Sequence, residues 1–566
     1  MSPKTDTPQY DVIVVGSGIT GGWAAKEFSE AGFKVLMIER GRNIEHMVDY
    51  TRETLAPWDL PFRGKGDPDL YRSDFPIQSK KGVFDEWTQD HFVNDRENPY
   101  QASGPVPFEW TRAYQTGGRS LVWGRQCYRW SDYDFGANKK DGHGSDWPVR
   151  YADLAKYYDK VESFIGVSGS SENIDSLPDG QFQKPFDLNV VEKAVKARVE
   201  TQFPDRKIII GRTANLTEEK EGRGLCQSRD ICARGCSYGA YFSTQSSTLP
   251  AAQATNNLTL ITDSLVEAID FDPASGKVSG VRVVDTKTKT RNTYTARVVF
   301  LNAGSFNSTT LLLRSTSEAF PTGLGNRSSG MLGQYILDHA VGIGAVALIP
   351  GFENKTTFGN RPNGIVVPKF RNVGSDQAPF LRGYSFQGGA LQSAWTRGER
   401  DPGLGAALKD NLHAPGGWRF VLVTFAECLP RKENCITLDA SNLDPYGLPQ
   451  MKIDFAFSDN ENALLTDASA QATAMLSGAG GQVVFSQTTP NAPGSSIHEM
   501  GGARMANDPK DGILNAFNQA HDVPNLFVTD GAAMASSASQ NPSLTYMALT
   551  VRAAERAVAL MRQGVL

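Results

Sequence analysis

Residues 11–39 constrain this chain more than any other stretch. Residues 11–15 form a strand-sized apolar run, Gly16-Ser17-Gly18-Ile19-Thr20-Gly21 is a glycine turn, residues 22–31 have helical spacing, and residues 34–38 form a second apolar run. That order predicts a βαβ opening. In a GxGxxG turn the first glycine makes the bend, the second lets backbone N–H groups reach a pyrophosphate, and the third lets helix and strand pack closely. Gly16, Gly18 and Gly21 hold those positions. Glu39 ends the second strand, where a carboxylate accepts ribose hydroxyls, and Arg40 follows it. The negative charge of Glu39 argues against a 2′-phosphate. The motif predicts a dinucleotide and does not separate FAD from NAD.

Composition excludes several classes. The 566 residues carry 57 Lys+Arg against 62 Asp+Glu, a net charge of −5, which speaks against a polyanion such as nucleic acid as a partner. At 40% hydrophobic and 21% charged the chain is globular and long enough for two intertwined domains. Its longest apolar runs, such as residues 12–15 and 420–423, fall far below the ~20 residues that span a bilayer, so no membrane span is expected. Residues 1–8 read as a polar tail with neither a signal peptide nor a twin-arginine pair.

Further along, residues 42–107 are rich in Pro, Gly, Asp and aromatics without clear periodicity, and predict excursions or a lid. Residues 151–164 have helical spacing. Strand-like segments run through 258–271, 280–284 and 296–301, the last entering a helix at 308–314. Residues 343–349, 420–425, 435–438 and 451–455 predict an antiparallel sheet. The tail returns to a strand before Asp530-Gly531 and then to a long helix over 542–563.

Near the C-terminus, Ser496-Ile497-His498-Glu499-Met500-Gly501-Gly502 precedes Asp530-Gly531-Ala532 and Gln540-Asn541-Pro542-Ser543. Removing a hydroxyl proton as hydride leaves carbon suits an imidazole, and an amide can orient the hydroxyl without competing for its proton. Taken with the N-terminal glycines, this order resembles the glucose-methanol-choline oxidoreductase family over essentially the whole chain. The resemblance implies an α/β fold, in which a Rossmann-type FAD-binding domain is intertwined with an antiparallel-sheet substrate-binding domain. The FAD-binding domain is expected at 1–45, 105–130, 205–325 and 500–566. The substrate domain and lid are expected at 46–104, 131–204 and 326–499. By the same resemblance His498 is the general base, Asn541 is its partner, and Asp530, Gly531, Ala532 and Pro542 lie at FAD. Gly117, Gly118, Ser120 and Trp123, with Val266 and Ala303, complete the expected FAD contacts. Some relatives carry a histidine bonded covalently to FAD at the position of Val122, so FAD is expected here without a covalent bond. The other six histidines, His46, His91, His143, His339, His413 and His521, are expected to be surface or hydrogen-bonded core residues.

Cys226, Cys232 and Cys236 crowd one short stretch with the spacing C-x5-C-x3-C. Three thiolates suit a 3Fe-4S cluster, whereas zinc wants a fourth ligand. A disulfide with one free thiol and three buried thiols are the other readings. The segment is similar to one in multi-subunit bacterial members of the family, which implies electron relay from flavin to a cytochrome c subunit. Cys127, Cys428 and Cys435 read as core residues.

Residues 361–368 and 381–389 look most like segments of glucoside 3-dehydrogenases, which implies oxidation of a glucoside C3 hydroxyl. Tyr384, Phe386 and Trp395 are candidates for stacking on a pyranose, or else core. The rival readings are a gluconate, fructose or glucose dehydrogenase, an oxygen-using pyranose oxidase, a flavin-bearing electron-transfer subunit, and an NAD enzyme. The resemblance also implies a small export subunit as partner and a periplasmic site reached by co-export, with a cytoplasmic enzyme as the alternative.

Overall fold

The computed structural model describes residues 9–566; residues 1–8, read above as a polar tail without an export signal, lie outside the described residues. The opening is the predicted βαβ unit: strand Tyr10–Val15, helix Ile19–Glu30 and strand Val35–Ile38, with the strands parallel and Val12 opposite Val35. The helix starts earlier than the pattern suggests because Gly18 is its N-cap, which places Gly21 and Gly22 inside the first turns. Val12 and Val14 pack into one core and Ile13 and Val15 into another, so the strand is covered on both faces, as parallel strands are.

This unit sits inside a seven-stranded sheet. Strand Arg291–Leu301 changes partners along its length. Its first half runs antiparallel to Lys277–Asp285, and its second half runs parallel to Tyr10–Val15 and to Leu526–Val528. The expected run over 258–271 divides at Asp263, where φ is 52°, into Leu258–Ile261 and Ser264–Asp272 at opposite ends of the strand order. Helices Thr248–Ala254 and Ser543–Arg562 pack beside Ile19–Glu30.

The second sheet has six strands, all antiparallel to their neighbours, in the order 482–485, 340–349, 418–426, 384–392, 365–367, 209–210. Residues 435–438 and 451–455 were expected to join it. Instead, Cys435–Leu443 and Pro449–Asp454 build a separate three-stranded sheet with Gln101–Ser103. Their one buried face, with Ile436, Met451 and Ile453, packs into the main core beside helix Ser305–Arg314. Strand Ile209–Ile210, which falls in the 205–325 stretch of the expected FAD-binding domain, pairs with Ile365–Val367 in the second sheet. Among the described residues no helix is long and apolar enough to cross a membrane.

Candidate active site

The carboxyl ends of the parallel strands open on a cavity of about 720 Å³, the place where open α/β sheets bind ligands. Gly16 leaves strand Tyr10–Val15 with φ 95°, and a Cβ there would lie 2.5 Å from the Asn302 carbonyl oxygen. At Gly21 a Cβ would lie 1.9 Å from the Gly16 oxygen, so this glycine seats the helix on the turn. Gly18 differs: a Cβ there meets nothing within 4 Å. Its open side faces the cavity, and as an N-cap without a side-chain hydrogen bond it leaves the first-turn amides to a ligand.

Glu39 is buried on the cavity wall. Its Oε2 accepts from Ser17 Oγ at 2.6 Å and Ser17 N at 3.2 Å, and its Oε1 accepts from Gly41 N at 2.9 Å. Burial pushes this carboxyl above its usual range, and those bonds pull against the shift. Ser17 Oγ also accepts from Gly117 N at 2.9 Å, which ties the second glycine segment to the first.

Gly118, Ser120, Trp123, Val266 and Ala303 line the cavity together with Gly16, Gly18, Glu39 and Arg40. Asp530, Gly531 and Pro542 line it from the C-terminal segment. Gly21, Gly117 and Ala532 stand one layer behind the wall, where they shape the turns that carry it. Asp530 accepts from Gly304 N at 2.9 Å, Ser308 Oγ at 2.5 Å and Ala532 N at 2.9 Å, and burial raises its carboxyl to about 6. A cavity lined by an open glycine turn with the buried Glu39 carboxylate beside it fits a dinucleotide. Val122 also lines this wall, and an aliphatic side chain offers no atom for a covalent bond to a ring system.

His498 and Asn541 line the same cavity, with His498 Nε2 and Asn541 Nδ2 3.1 Å apart. Burial, then His339, then Arg119 hold the His498 imidazole well below its usual value, so it is neutral near pH 7. Sequence reasoning set His339 apart from this centre, and the structure brings it in. The His339 and His498 Nδ1 atoms are 2.8 Å apart, with the rings nearly perpendicular. Burial pushes His339 down to about 4. Gln387 and Phe425 were also missed: Gln387 Nε2 donates to Asn541 Oδ1 at 2.6 Å, Phe425 packs against His498, and both line the cavity. Arg119 and Glu499 form an ion pair of 2.6 Å on the wall. His339 and Phe425 stand in no local motif that marks them, whereas Gln387, Arg119 and Glu499 lie inside the segments 381–389, 117–120 and 496–502 without having been singled out there.

Tyr384 and Phe386 are fully buried in the core of the second sheet and Trp395 is exposed; none of the three lines the cavity, so the pyranose-stacking reading falls for them. Alternate residues of strand Tyr384–Gln392 face opposite sides, so Gln387 reaches the cavity while Tyr384 and Phe386 point into the core.

Cys226, Cys232 and Cys236 are free and half-buried, and only Cys232 reaches the cavity wall. Burial pushes the Cys226 thiol up, and Cys232 and Cys236 add to the shift. Arg229 Nη2 lies 3.9 Å from Cys236 Sγ. The donor set suits a cluster in type and number. Among the described residues, however, no three His, Cys, Asp or Glu side chains are gathered closely enough to hold a metal ion. Cys127 and Cys428 are buried core residues, as expected, whereas Cys435 is half-buried at the start of strand Cys435–Leu443 and not a core residue.

Known proteins agree with this architecture. The chain is 27% identical to a 2-methyl-1,2-propanediol dehydrogenase of Mycolicibacterium austroafricanum, over 97% of this chain and 95% of that one. It is 23% identical to the fructose dehydrogenase large subunit of Gluconobacter japonicus, over 99% and 100% of the two chains. The pyridoxine 4-oxidase structure from Mesorbium loti superposes with a TM-score of 0.60 at 17% identity, covering 96% of this chain and 98% of that one, which shows a shared fold. Family models described as GMC oxidoreductase match residues 10–341 and 430–550. This chain therefore belongs to the GMC oxidoreductase family, whose members bind FAD and act on CH–OH groups.

Proposed function

We propose that this enzyme oxidises a secondary hydroxyl of a sugar or glycoside, C3 of a glucoside in the best-supported version, and passes the electrons to a carrier other than oxygen. The observation that carries the reading is the pairing of His498 Nε2 and Asn541 Nδ2 on the wall of the cavity that holds the glycine turn. An alcohol oxygen entering that notch takes over the Asn541 hydrogen bond and lays its hydrogen on Nε2. His498, neutral before the reaction, receives the proton as the C–H bond breaks. FAD, when bound, supplies the acceptor for the hydride. Gln387 holds the Asn541 amide in register, and Asp230 and Arg234 add charged groups to the wall, which suits a polyhydroxylated substrate.

The 3Fe-4S cluster remains the finer reading of the cysteine loop, supported by Cys232 on the cavity wall. Iron and acid-labile sulfide in anaerobically purified protein test it, and their absence ends it. A cytochrome c acceptor and a small signal-bearing export partner, with a periplasmic site, go with that reading. The name of the fructose dehydrogenase relative, a large subunit, supports a multi-subunit assembly. Fractionation of cells that make the protein together with its partners tests the site.

A second reading, a small vicinal diol as substrate, is favoured by the 2-methyl-1,2-propanediol dehydrogenase relative. A dye-coupled assay with methyl glucosides, fructose, gluconate and 1,2-diols separates the two, and NMR of the product locates the new carbonyl. In that assay His498→Gln is expected to lower kcat by about 10²–10⁴-fold with FAD still bound. Turnover confined to diols overturns the sugar reading, and an active His498→Gln enzyme overturns the base.

A further inference from the structure

The polar atoms behind His498 form one chain of hydrogen bonds with a single consistent direction. At its far end His339 Nε2 lies 3.1 Å from the Ser537 carbonyl oxygen and 3.0 Å from that of Ala538. Carbonyl oxygens only accept, so Nε2 of His339 carries the hydrogen, and in the neutral ring Nδ1 is then a bare acceptor. His498 Nδ1, 2.8 Å away, must be the donor. Its own Nε2 is then bare and faces the Asn541 amide nitrogen at 3.1 Å. Asn541 closes the chain by accepting from Gln387 Nε2 at 2.6 Å. Reversing any one of these bonds sets donor against donor or acceptor against acceptor elsewhere in the chain.

The backbone fixes both rings as well. Ser496 Oγ accepts from His498 N at 3.2 Å and from His339 N at 3.4 Å, and it donates to the neighbouring carboxylate of Asp338. Gly494 N donates to the same carboxylate at 2.7 Å. Leu337 and Met500 pair across the two segments. The two segments that carry the histidines, 337–339 and 494–500, are therefore clamped to one another.

We propose that His339 is a positioning residue that fixes the tautomer of His498, so that the lone pair of the base points into the cavity and its one N–H points away. The inference rests on His498 being the base. It also assigns the fate of the proton. His339 faces only carbonyl acceptors on its far side, so it cannot hand a proton onward; the proton taken from the alcohol stays on His498 Nε2 until it leaves through the cavity.

The test is ¹⁵N NMR of histidine-labelled protein, read on the apoprotein and on the FAD-loaded enzyme, together with steady-state kinetics on whichever alcohol of the panel above turns over fastest. Wild-type protein is expected to show His498 protonated at Nδ1 and bare at Nε2. His339→Leu removes the acceptor and is expected to lower kcat at least 100-fold while KM and the bound flavin spectrum stay in place. His339→Asn puts Oδ1 where Nδ1 stood and is expected to recover at least 10-fold of that loss. A wild-type proton on His498 Nε2 overturns the proposal, and so does a flavin-loaded His339→Leu enzyme with unchanged kcat. If His339→Leu does not fold, the wild-type spectrum decides alone. His498→Gln run in parallel separates the two claims: if it keeps wild-type kcat, the base assignment has failed, and if it is inactive while His339→Leu is unaffected, only the tautomer role has.

Discussion

Gly16 and Gly18 stand two positions apart and respond in opposite ways to an added methyl group. At Gly16 the methyl meets the Asn302 carbonyl at 2.5 Å with φ at 95°, so Gly16→Ala is expected to lower the melting temperature of the apoprotein, by a strain of about 1–3 kcal/mol. At Gly18 the methyl enters open space, so Gly18→Ala is expected to keep apoprotein stability and lose FAD affinity. Thermal unfolding with and without FAD checks both, and equal behaviour of the two variants contradicts the assignment of Gly18 to the ligand. The buried histidines make a second prediction at this scale. His339 is depressed to about 4, so between pH 6.5 and 4 the unfolded chain binds a proton that the folded chain refuses, and stability falls as pH falls. Asp338 and Asp530, each raised to about 6, act in the opposite direction between pH 3.8 and 6. Replacing His339 by Asn removes the first effect, together with the part of the His498 shift that His339 causes, and leaves both carboxyls in place. The stability gap between wild type and variant, measured by urea unfolding, is expected to shift in the variant's favour from pH 7 to pH 5. Gly16, Gly18, His498 and Asn541 were legible because each belongs to a local string with a fixed spacing. His339 and Gln387 were not, because each acts through a partner more than 150 residues away.

At the scale of elements the cysteine loop is held from outside. Glu53, buried in the excursion 42–107, accepts from Arg229 Nη2 at 2.5 Å, from Ser237 N at 3.1 Å and from Ser237 Oγ. Those three donors flank Cys232 and Cys236. Removing the carboxylate leaves these half-buried donors without their shared acceptor. Glu53→Ala is expected to speed the reaction of the thiols with a disulfide reagent several-fold while FAD stays bound. Thiol rates equal to wild type contradict the clamp. The spacing of the cysteines marked the loop, but the carboxylate that holds it lies 176 residues from Arg229 and no pattern pairs them. The strands over 435–454 show the same limit. Their alternation was readable, whereas the sheet they join is decided by Gln101–Ser103, a strand too short to register as one.

For the whole molecule, the cavity is the place where separate stretches of chain converge. Its wall takes Gly16 and Glu39 from the opening unit and Asp85 and Phe92 from the excursion. Cys232, Gln387, Phe425, His498 and Asn541 come from distant parts of the sequence. The opening βαβ unit and the C-terminal helix were readable because their periodicity is local. The interleaving was not, since strand Arg291–Leu301 pairs with residues near both ends of the chain. A ligand that touches so many segments is bound by the folded chain and not by the unfolded one, so it stabilises by about 2.7 kcal/mol at a hundred times its dissociation constant. The melting temperature of the apoprotein is expected to rise with the logarithm of FAD concentration, and both sheets are expected to unfold together, because walls from each enclose the same cofactor. Calorimetry paired with protein and flavin fluorescence reads this directly. A melting temperature indifferent to FAD would remove the cavity from the cofactor. Two transitions, with only the earlier one responding to FAD, would mean that the second sheet folds without help from the ligand it helps to enclose.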